Sequence, residues 1–259
     1  MKSLMDQRIT SYLSTKQILL MQHPTLTILL PVYNEARRIK RGLDCARQLS
    51  DKLKPLCDVY IIVVDDGSTD GSTDSLPNDV GLIRRPHLGK GATVRAGLEH
   101  ANTDWVLFTD IDWSVPVETV YQLIVKGLKS PSDIIIASRE ISGATRIAEP
   151  PWRHLLGKLF NRWVQWMLLA GYMDTQCGCK MLRRSAINTV VPIMKEDGWA
   201  FDVELLLLAN LKGVPVSEFA VPWVYQPQSK IRLWRDGLQM AQAVWRMRQR
   251  LNLNNFEEK

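Results

Sequence analysis

The sequence predicts an α/β protein built on a doubly wound, mainly parallel sheet flanked by helices. Three observations carry this. Short apolar runs recur at residues 25–32, 59–64, 105–108 and 134–137. They are nearly all apolar, as strands buried on both faces require, rather than alternating. Stretches of helical character separate them, and strands alternating with helices define the doubly wound class.

The elements follow in order. Residues 1–24 show no clear period and form an N-terminal extension. The strand at 25–32 leads through Tyr33-Asn34-Glu35 into a helix reaching about Ser50. The strand at 59–64 ends in a turn-rich loop, Asp65-Asp66-Gly67-Ser68-Thr69-Asp70-Gly71-Ser72. Leu82-Ile83 is a short strand, and 89–101 reads as a loop entering a helix. The strand at 105–108 is followed by Thr109-Asp110-Ile111-Asp112, then a helix over 116–129 and the strand at 134–137. After Arg139 the pattern changes. Residues 151–171 are rich in Trp and Leu, carry Arg153, Lys158 and Arg162, and hold no acid. Residues 229–250 carry Lys230 and five arginines against Asp236. Both segments read as basic amphipathic helices elaborating the sheet.

Composition narrows the function. A chain of 259 residues with 46% hydrophobic and 23% charged residues is long enough for a sizeable core. A net charge of +6 suits an anionic ligand or surface. No nucleic-acid reader motif accompanies it, so nucleic acid is not an expected partner. The four cysteines lack zinc or Cys-x-x-Cys spacing and read as free thiols of a reducing compartment. No run reaches the roughly 18 apolar residues of a membrane span. The N-terminus lacks a signal-peptide core, being broken by Asp6, Arg8 and Lys16. The chain is therefore expected in the cytoplasm, with membrane contact peripheral and at the inner face.

The chemistry gathers at strand ends. Pro31-Val32-Tyr33-Asn34-Glu35, Asp65-Asp66-Gly67-Ser68 and Asp110-Ile111-Asp112 each close a strand. If the strands are parallel, all three fall on one sheet edge, where open α/β sheets hold ligands. Asp110 and Asp112 bracket Ile111 and can share one hard cation. Mg²⁺ or Mn²⁺ suits them, because these ions accept one or two carboxylates and complete their shell with water and phosphate. Asp65 could accept the imide N–H of a uracil or the N1–H of a guanine, and Glu35 could reach a ribose hydroxyl. Read as local structure alone, Asp66-Gly67 is a plain turn and Asn34 a helix cap.

Pro-Val-Tyr-Asn-Glu, Val-Val-Asp-Asp-Gly-Ser-Thr-Asp-Gly, Gly-Lys-Gly-Ala and Asp-x-Asp, in that order, resemble family 2 glycosyltransferases of the GT-A fold. The resemblance covers roughly residues 25–235 and is greatest to the dolichyl/polyprenyl-phosphate glucosyltransferase and mannosyltransferase branch. The segments 174–180 and 198–204 resemble the glucosyl members, although Cys179 stands where an aromatic is more usual. The resemblance implies a GT-A catalytic domain over 25–228, followed by a basic amphipathic helix and tail over 229–259. It implies a nucleotide-sugar donor, UDP-glucose for the glucosyl members, with a divalent metal and inversion at the anomeric carbon. Pro31, Tyr33, Glu35 and Asp65 would then line the nucleoside. Lys90 and Ile111 would lie near the donor, and Asp110 and Asp112 would hold the metal. A third ligand of some relatives is replaced by Ser114.

The acceptor decides the rest. A sugar hydroxyl needs a base, for which Asp174 is the candidate, although Asp174 could equally be a buried partner for Lys180 or for a nearby helix end. A lipid phosphate is already ionised and needs positive charge instead. Arg139 and Arg153 resemble the phosphate-binding arginines of polyprenyl-phosphate transferases, and arginine's planar fork suits that task. Lys230 could close over the diphosphate from a loop. Trp152, Leu155, Leu156, Leu159, Trp163 and Trp166 could lie at a lipid interface or pack on the protein's own core. No Gln-x-x-Arg-Trp motif is present, since Leu159 stands where the Gln of that motif would precede Arg162-Trp163. A processive synthase is therefore disfavoured. The expected function is hexosyl transfer to a polyprenyl phosphate. The alternatives are a hydroxyl acceptor or a silent nucleotide-sugar sensor.

Overall fold

The computed structural model describes residues 23–169, 171–226 and 233–257, with side chains described to residue 251 except at 233–234. Lys230, expected over the diphosphate, lies outside the described residues, as does nearly all of the N-terminal extension.

Seven strands form the main sheet in the order β3-β2-β1-β4-β7-β5-β8. They are β1 (Thr25–Val32), β2 (Asp58–Asp65), β3 (Val80–Arg84), β4 (Trp105–Thr109), β5 (Ile134–Ser138), β7 (Cys179–Arg183) and β8 (Val216–Ala220). A small parallel pair, β6 (Thr145–Ile147) with β9 (Pro222–Val224), stands apart. All neighbours in the main sheet are parallel except β7, which runs antiparallel between β4 and β5. The sheet is thus mixed and mainly parallel, as expected. The helices are α1 (Ile39–Leu53), α2 (Lys90–His100), α3 (Val117–Leu128), α4 (Pro151–Met167), α5 (Arg184–Val190), α6 (Phe201–Leu211) and α7 (Leu233–Glu257).

Two apolar layers sandwich the sheet. Leu26, Ile28, Leu30 and Val32 of β1 face α1 and α3, whereas Leu29 faces the layer containing α2, α5 and α6. This is the period-2 alternation of a strand with both faces buried. α1 answers with a stripe of Gly42, Leu43, Ala46, Leu49 and Leu53. The glycine is required there. A Cβ at Gly42 would lie 2.4 Å from Ile111 Cδ1 and 2.6 Å from the Ile111 carbonyl oxygen.

The topology locates the ligand crevice. From β1 the chain moves to β2 and β3 on one side, while β4 pairs on the other. The switch point therefore lies between β1 and β4, where open sheets bind ligands at their carboxyl ends. The β1–β4 pairing covers Leu26–Leu29 against Trp105–Phe108 and stops there. Pro31, which has no N–H, lies beyond it and costs no ladder bond on that side.

Six elements, β6, β7, β8, β9, α5 and α6, are absent from the sequence reading. Lys180 in the middle of Cys179-Lys180-Met181-Leu182-Arg183 disguises a central strand. Its ammonium is fully buried and is neutralised by Asp202 of α6.

Candidate active site

The three acidic loops meet as expected. After β1, Asn34 adopts φ +51°, a left-handed conformation that Asn tolerates. Its backbone N–H donates to Ser68 Oγ at 2.9 Å, and its Oδ1 accepts from the Thr69 N–H at 2.8 Å. Asn34 is therefore no helix cap. It staples the β1 loop to the β2 loop. Glu35 N–H donates to Ser72 Oγ at 2.6 Å and Ala36 N–H to Asp70 Oδ2 at 2.9 Å, completing the join.

Asp65 is buried, at 3% exposure. Its Oδ1 accepts from the Ser68 N–H at 2.9 Å and its Oδ2 from the Thr73 hydroxyl at 2.6 Å. It shapes the loop from within. Asp66 is more than a turn residue. It accepts the N–H groups of Leu88 and Gly89 and contacts His87 Nδ1 at 2.7 Å. The His87 ring in turn stacks on Tyr33 at 4.0 Å between centroids, with 13° between the planes. Gly67 is needed on two counts. Its φ is +76°, and a Cβ there would meet the His87 backbone nitrogen at 2.9 Å.

The Asp-x-Asp turn faces these loops. Glu35 holds Arg38 through two hydrogen bonds of 2.6 and 2.8 Å, and Arg38 Nη1 lies 3.7 Å from Asp112 Oδ2. Asp112 Oδ1 accepts from both the N–H and the hydroxyl of Ser114 at 3.0 Å. So Ser114, at the position of a third ligand in some relatives, orients Asp112 here. The Ile111 side chain is buried in the core against Gly42. Ile111, expected near the donor, thus turns its side chain into the core between the two carboxylates. Trp113 anchors the turn by donating its indole N–H to the Gly42 carbonyl at 2.9 Å.

Asp110 is set by Lys90 and Gly178. Lys90, at the first position of α2, has its ammonium 2.5 Å from Asp110 Oδ1 and 5.3 Å from the centre of the Trp199 ring. The Asp110 N–H donates to the Gly178 carbonyl at 3.1 Å. A Cβ on Gly178 would lie 2.1 Å from Asp110 Oδ2. Cys177-Gly178-Cys179 thus serves a packing purpose. The flanking thiols are buried and reduced, and burial pushes the pKa of Cys177 up to about 12.

The donor set suits a divalent cation. Burial, then the neighbouring charge of Asp110, raises the carboxyl of Asp112 above its ordinary value. A cation beside both carboxylates would offset the part of this that comes from Asp110. Among the described residues no group of three or more His, Cys, Asp or Glu side chains is placed to hold a metal. Two carboxylates are the set expected for an ion that completes its shell with phosphate and water.

Arg139 and Asp174 correct the sequence reading. Asp174 does not partner Lys180. Its Oδ2 accepts from Arg139 Nε at 2.6 Å and from the Arg139 N–H at 2.9 Å, and its Oδ1 accepts from Nη2 at 2.9 Å. Burial works to raise this carboxyl, but the Arg139 guanidinium outweighs it and holds its pKa down to about 2. A carboxylate so acidic and so fully engaged is a weak base. Arg139 is likewise committed, because Nε and Nη2 are spent on Asp174. It also lies 5.4 Å from the Trp223 ring centre. Arg153, in the first turn of α4, lies 5.3 Å from the ring centre of Tyr225. Both arginines therefore border one aromatic strip, and that strip is tied to the acidic turn. Val224 N–H donates to the Ser114 carbonyl at 2.8 Å.

The ion pair sets a pH expectation. The folded carboxyl lies below its unfolded value of about 4, so its contribution is complete above that pH and lost as pH falls toward 2. Asp174→Asn strands a buried guanidinium and should cost about 3 kcal/mol at neutral pH. Chemical denaturation at pH 7 and pH 3 checks this, since the deficit should shrink at the lower pH. An Asp174→Asn variant as stable as the parent but inactive would instead mark Asp174 as a base.

Comparison with known proteins agrees with this geometry. The model of glycosyl transferase family 2 matches residues 27–191. The chain belongs to that family and is a glycosyltransferase. It is 31% identical to dolichyl-phosphate beta-glucosyltransferase ALG5C of Trichomonas vaginalis, over 80% of this chain and 66% of that protein. It is 30% identical to the dolichyl-phosphate beta-glucosyltransferase of Homo sapiens, over 88% of this chain and 80% of that one. Among solved structures it resembles glucosyl-3-phosphoglycerate synthase of Mycobacterium tuberculosis, crystallised with Mn²⁺, UDP-glucose and phosphoglyceric acid. The TM-score is 0.66 at 16% identity, covering 87% of this chain and 79% of that one. The match establishes the GT-A fold.

Proposed function

We propose that this chain moves glucose from UDP-glucose onto a polyprenyl phosphate of dolichyl type, with inversion at the anomeric carbon. One observation carries the reading beyond the family. The Ser114–Val224 hydrogen bond binds the acidic donor turn to the strip bordered by Arg139 and Arg153. Donor phosphate and acceptor phosphate then meet across a few residues. The relatives named above, dolichyl-phosphate glucosyltransferases, support the same choice of acceptor.

In this reading Asp110 and Asp112 hold Mg²⁺ or Mn²⁺. Such an ion stabilises the negative charge that develops on the leaving diphosphate. Tyr33, with His87 stacked on it, walls the nucleoside side, and Asp65 and Asn34 fix the loops that carry it. Lys90 adds a fixed cation beside the diphosphate. The acceptor phosphate oxygen attacks the anomeric carbon opposite the diphosphate. The bond to the diphosphate oxygen breaks, and UDP leaves with the electron pair. A phosphate acceptor is already ionised, so no base is required. This accords with Asp174 being locked onto Arg139. Arg139 positions the wall, and Arg153 supplies charge toward the acceptor.

The lipid reading also explains α4. Trp152, Leu155, Leu156, Leu159 and Trp166 are exposed on it, Trp166 at 79%, while Val164 and Met167 are its buried residues. Exposed Lys158 and Arg162 accompany them. No helix among the described residues is long and apolar enough to cross a membrane. A helix of this kind lies in the interfacial plane and meets anionic head groups with its cations. Arg153 sits in the first turn of α4, so the membrane face ends at the acceptor site.

The test is a transfer assay with mass detection, using UDP-glucose, Mn²⁺ and a short-chain polyprenyl phosphate. Glucosyl polyprenyl phosphate and UDP should appear together. Transfer to glycan or small-molecule hydroxyls, with none to the lipid, would overturn the acceptor assignment.

A further inference from the structure

Lys90 and a divalent ion would make competing claims on one oxygen of the Asp-x-Asp turn. The Asp110 carboxylate is pressed against Gly178, where a Cβ would fall 2.1 Å from Oδ2 but 3.0 Å from Oδ1. Oδ2 fills the space that the glycine leaves. Oδ1 is the oxygen turned away from that wall, and Lys90 sits on it at 2.5 Å. A divalent ion binds a carboxylate oxygen at about 2.1 Å. An ammonium and a divalent cation held by the same oxygen would repel each other at close range.

Lys90 has somewhere else to go. Asp202, buried in the first turn of α6, acts on the Lys90 charge as well as on Lys180. The Trp199 face, 5.3 Å from the ammonium, keeps the side chain on that side. The charges fit such a move. Asp110, Asp112, Asp202 and Glu35 face Lys90, Lys180 and Arg38, which leaves one negative charge. A divalent ion turns this to one positive charge, facing a diphosphate. The backbone beneath Lys90 is fixed. Gly89, at φ +115°, and Gly91 leave no room for a Cβ against the Asp197 and Glu196 carbonyls, at 2.6 and 2.5 Å. The displacement therefore falls on the side chain.

We infer that Lys90 is a displaceable counter-ion of Asp110: it holds the metal's carboxylate in the donor-free enzyme and passes to Asp202 and the donor diphosphate when ion and nucleotide enter together. The inference rests on the metal reading above. It makes the site reluctant to bind a divalent ion alone, and it couples metal binding to the donor. It explains why a lysine directly contacts a metal-type carboxylate in a site that must also accept a dication.

The test is Mn²⁺ binding followed by electron paramagnetic resonance of the free ion, which needs no turnover. In the absence of nucleotide, Lys90→Met should bind Mn²⁺ at least ten-fold more tightly than the parent protein. Adding UDP should tighten Mn²⁺ strongly in the parent and much less in the variant. Lys90→Gln serves as a second neutral variant, and thermal unfolding confirms that each is folded. If the parent binds Mn²⁺ with UDP but neither neutral variant binds the ion more tightly without it, Lys90 is not a competitor and the inference fails. If the parent binds no Mn²⁺ even with UDP, the metal reading itself fails.

Discussion

Asp110→Asn should reduce glucosyl transfer by about a thousand-fold while leaving the fold intact, a loss of roughly 4 kcal/mol of transition-state stabilisation. The change keeps the shape of the side chain and removes its charge. Asp110 is 37% exposed at its side chain, so the core does not depend on it. The N–H bond to the Gly178 carbonyl is backbone and survives. Asp112 remains, but the ion would then keep one anionic protein ligand in place of two and would depend on the diphosphate for most of its anionic shell. Steady-state transfer at saturating donor and a thermal unfolding curve together check this. A variant within ten-fold of the parent would show that Asp110 does not hold the metal.

Gly178→Ala should come next, although Gly178 carries no functional group. The new methyl would lie 2.1 Å from Asp110 Oδ2 and 2.7 Å from its Cγ. No real Cβ contact is that short, so the carboxylate must rotate or the loop must move. Gly178 does not have a positive φ, so backbone strain does not complicate the change. Neighbouring Cys177 and Cys179 are 1% exposed, which favours movement of the exposed carboxylate over movement of the loop. Displacement of a reacting group by about 1 Å costs on the order of a hundred-fold in rate. Overpacking should cost about 1–3 kcal/mol in stability. Mn²⁺ affinity in the presence of UDP should fall in parallel with the rate. Parent-like kinetics in a folded Gly178→Ala variant would mean that the position of Asp110 against that wall is irrelevant.

Much of this site is legible in the sequence because it follows from strand direction. Apolar runs ending in acidic loops place Glu35, Asp65, Asp110 and Asp112 on one sheet edge, and they are found there. The partners of those residues are less legible. Gly178 and Asp66 act through contacts to segments 68 and more than 20 residues away, and spacing carries no trace of such contacts. The Arg139–Asp174 pair is hidden for a related reason. Each residue alone has a plausible independent role, and only their packing at hydrogen-bond distance reveals mutual commitment. β7 escapes the reading because Lys180 breaks the apolar run. The compensating Asp202 is 22 residues further on, in α6, which the sequence reading does not place.

The central claim is that three separate loops grip one nucleotide sugar through a shared ion. A crystal structure with UDP and Mn²⁺ tests it most directly. Anomalous density for Mn²⁺ is expected between Asp110 and Asp112, with diphosphate oxygens on that ion and the uracil ring beside Tyr33 and the Asp65 loop. Nucleotide bound elsewhere, or an ion touching neither carboxylate, would contradict it.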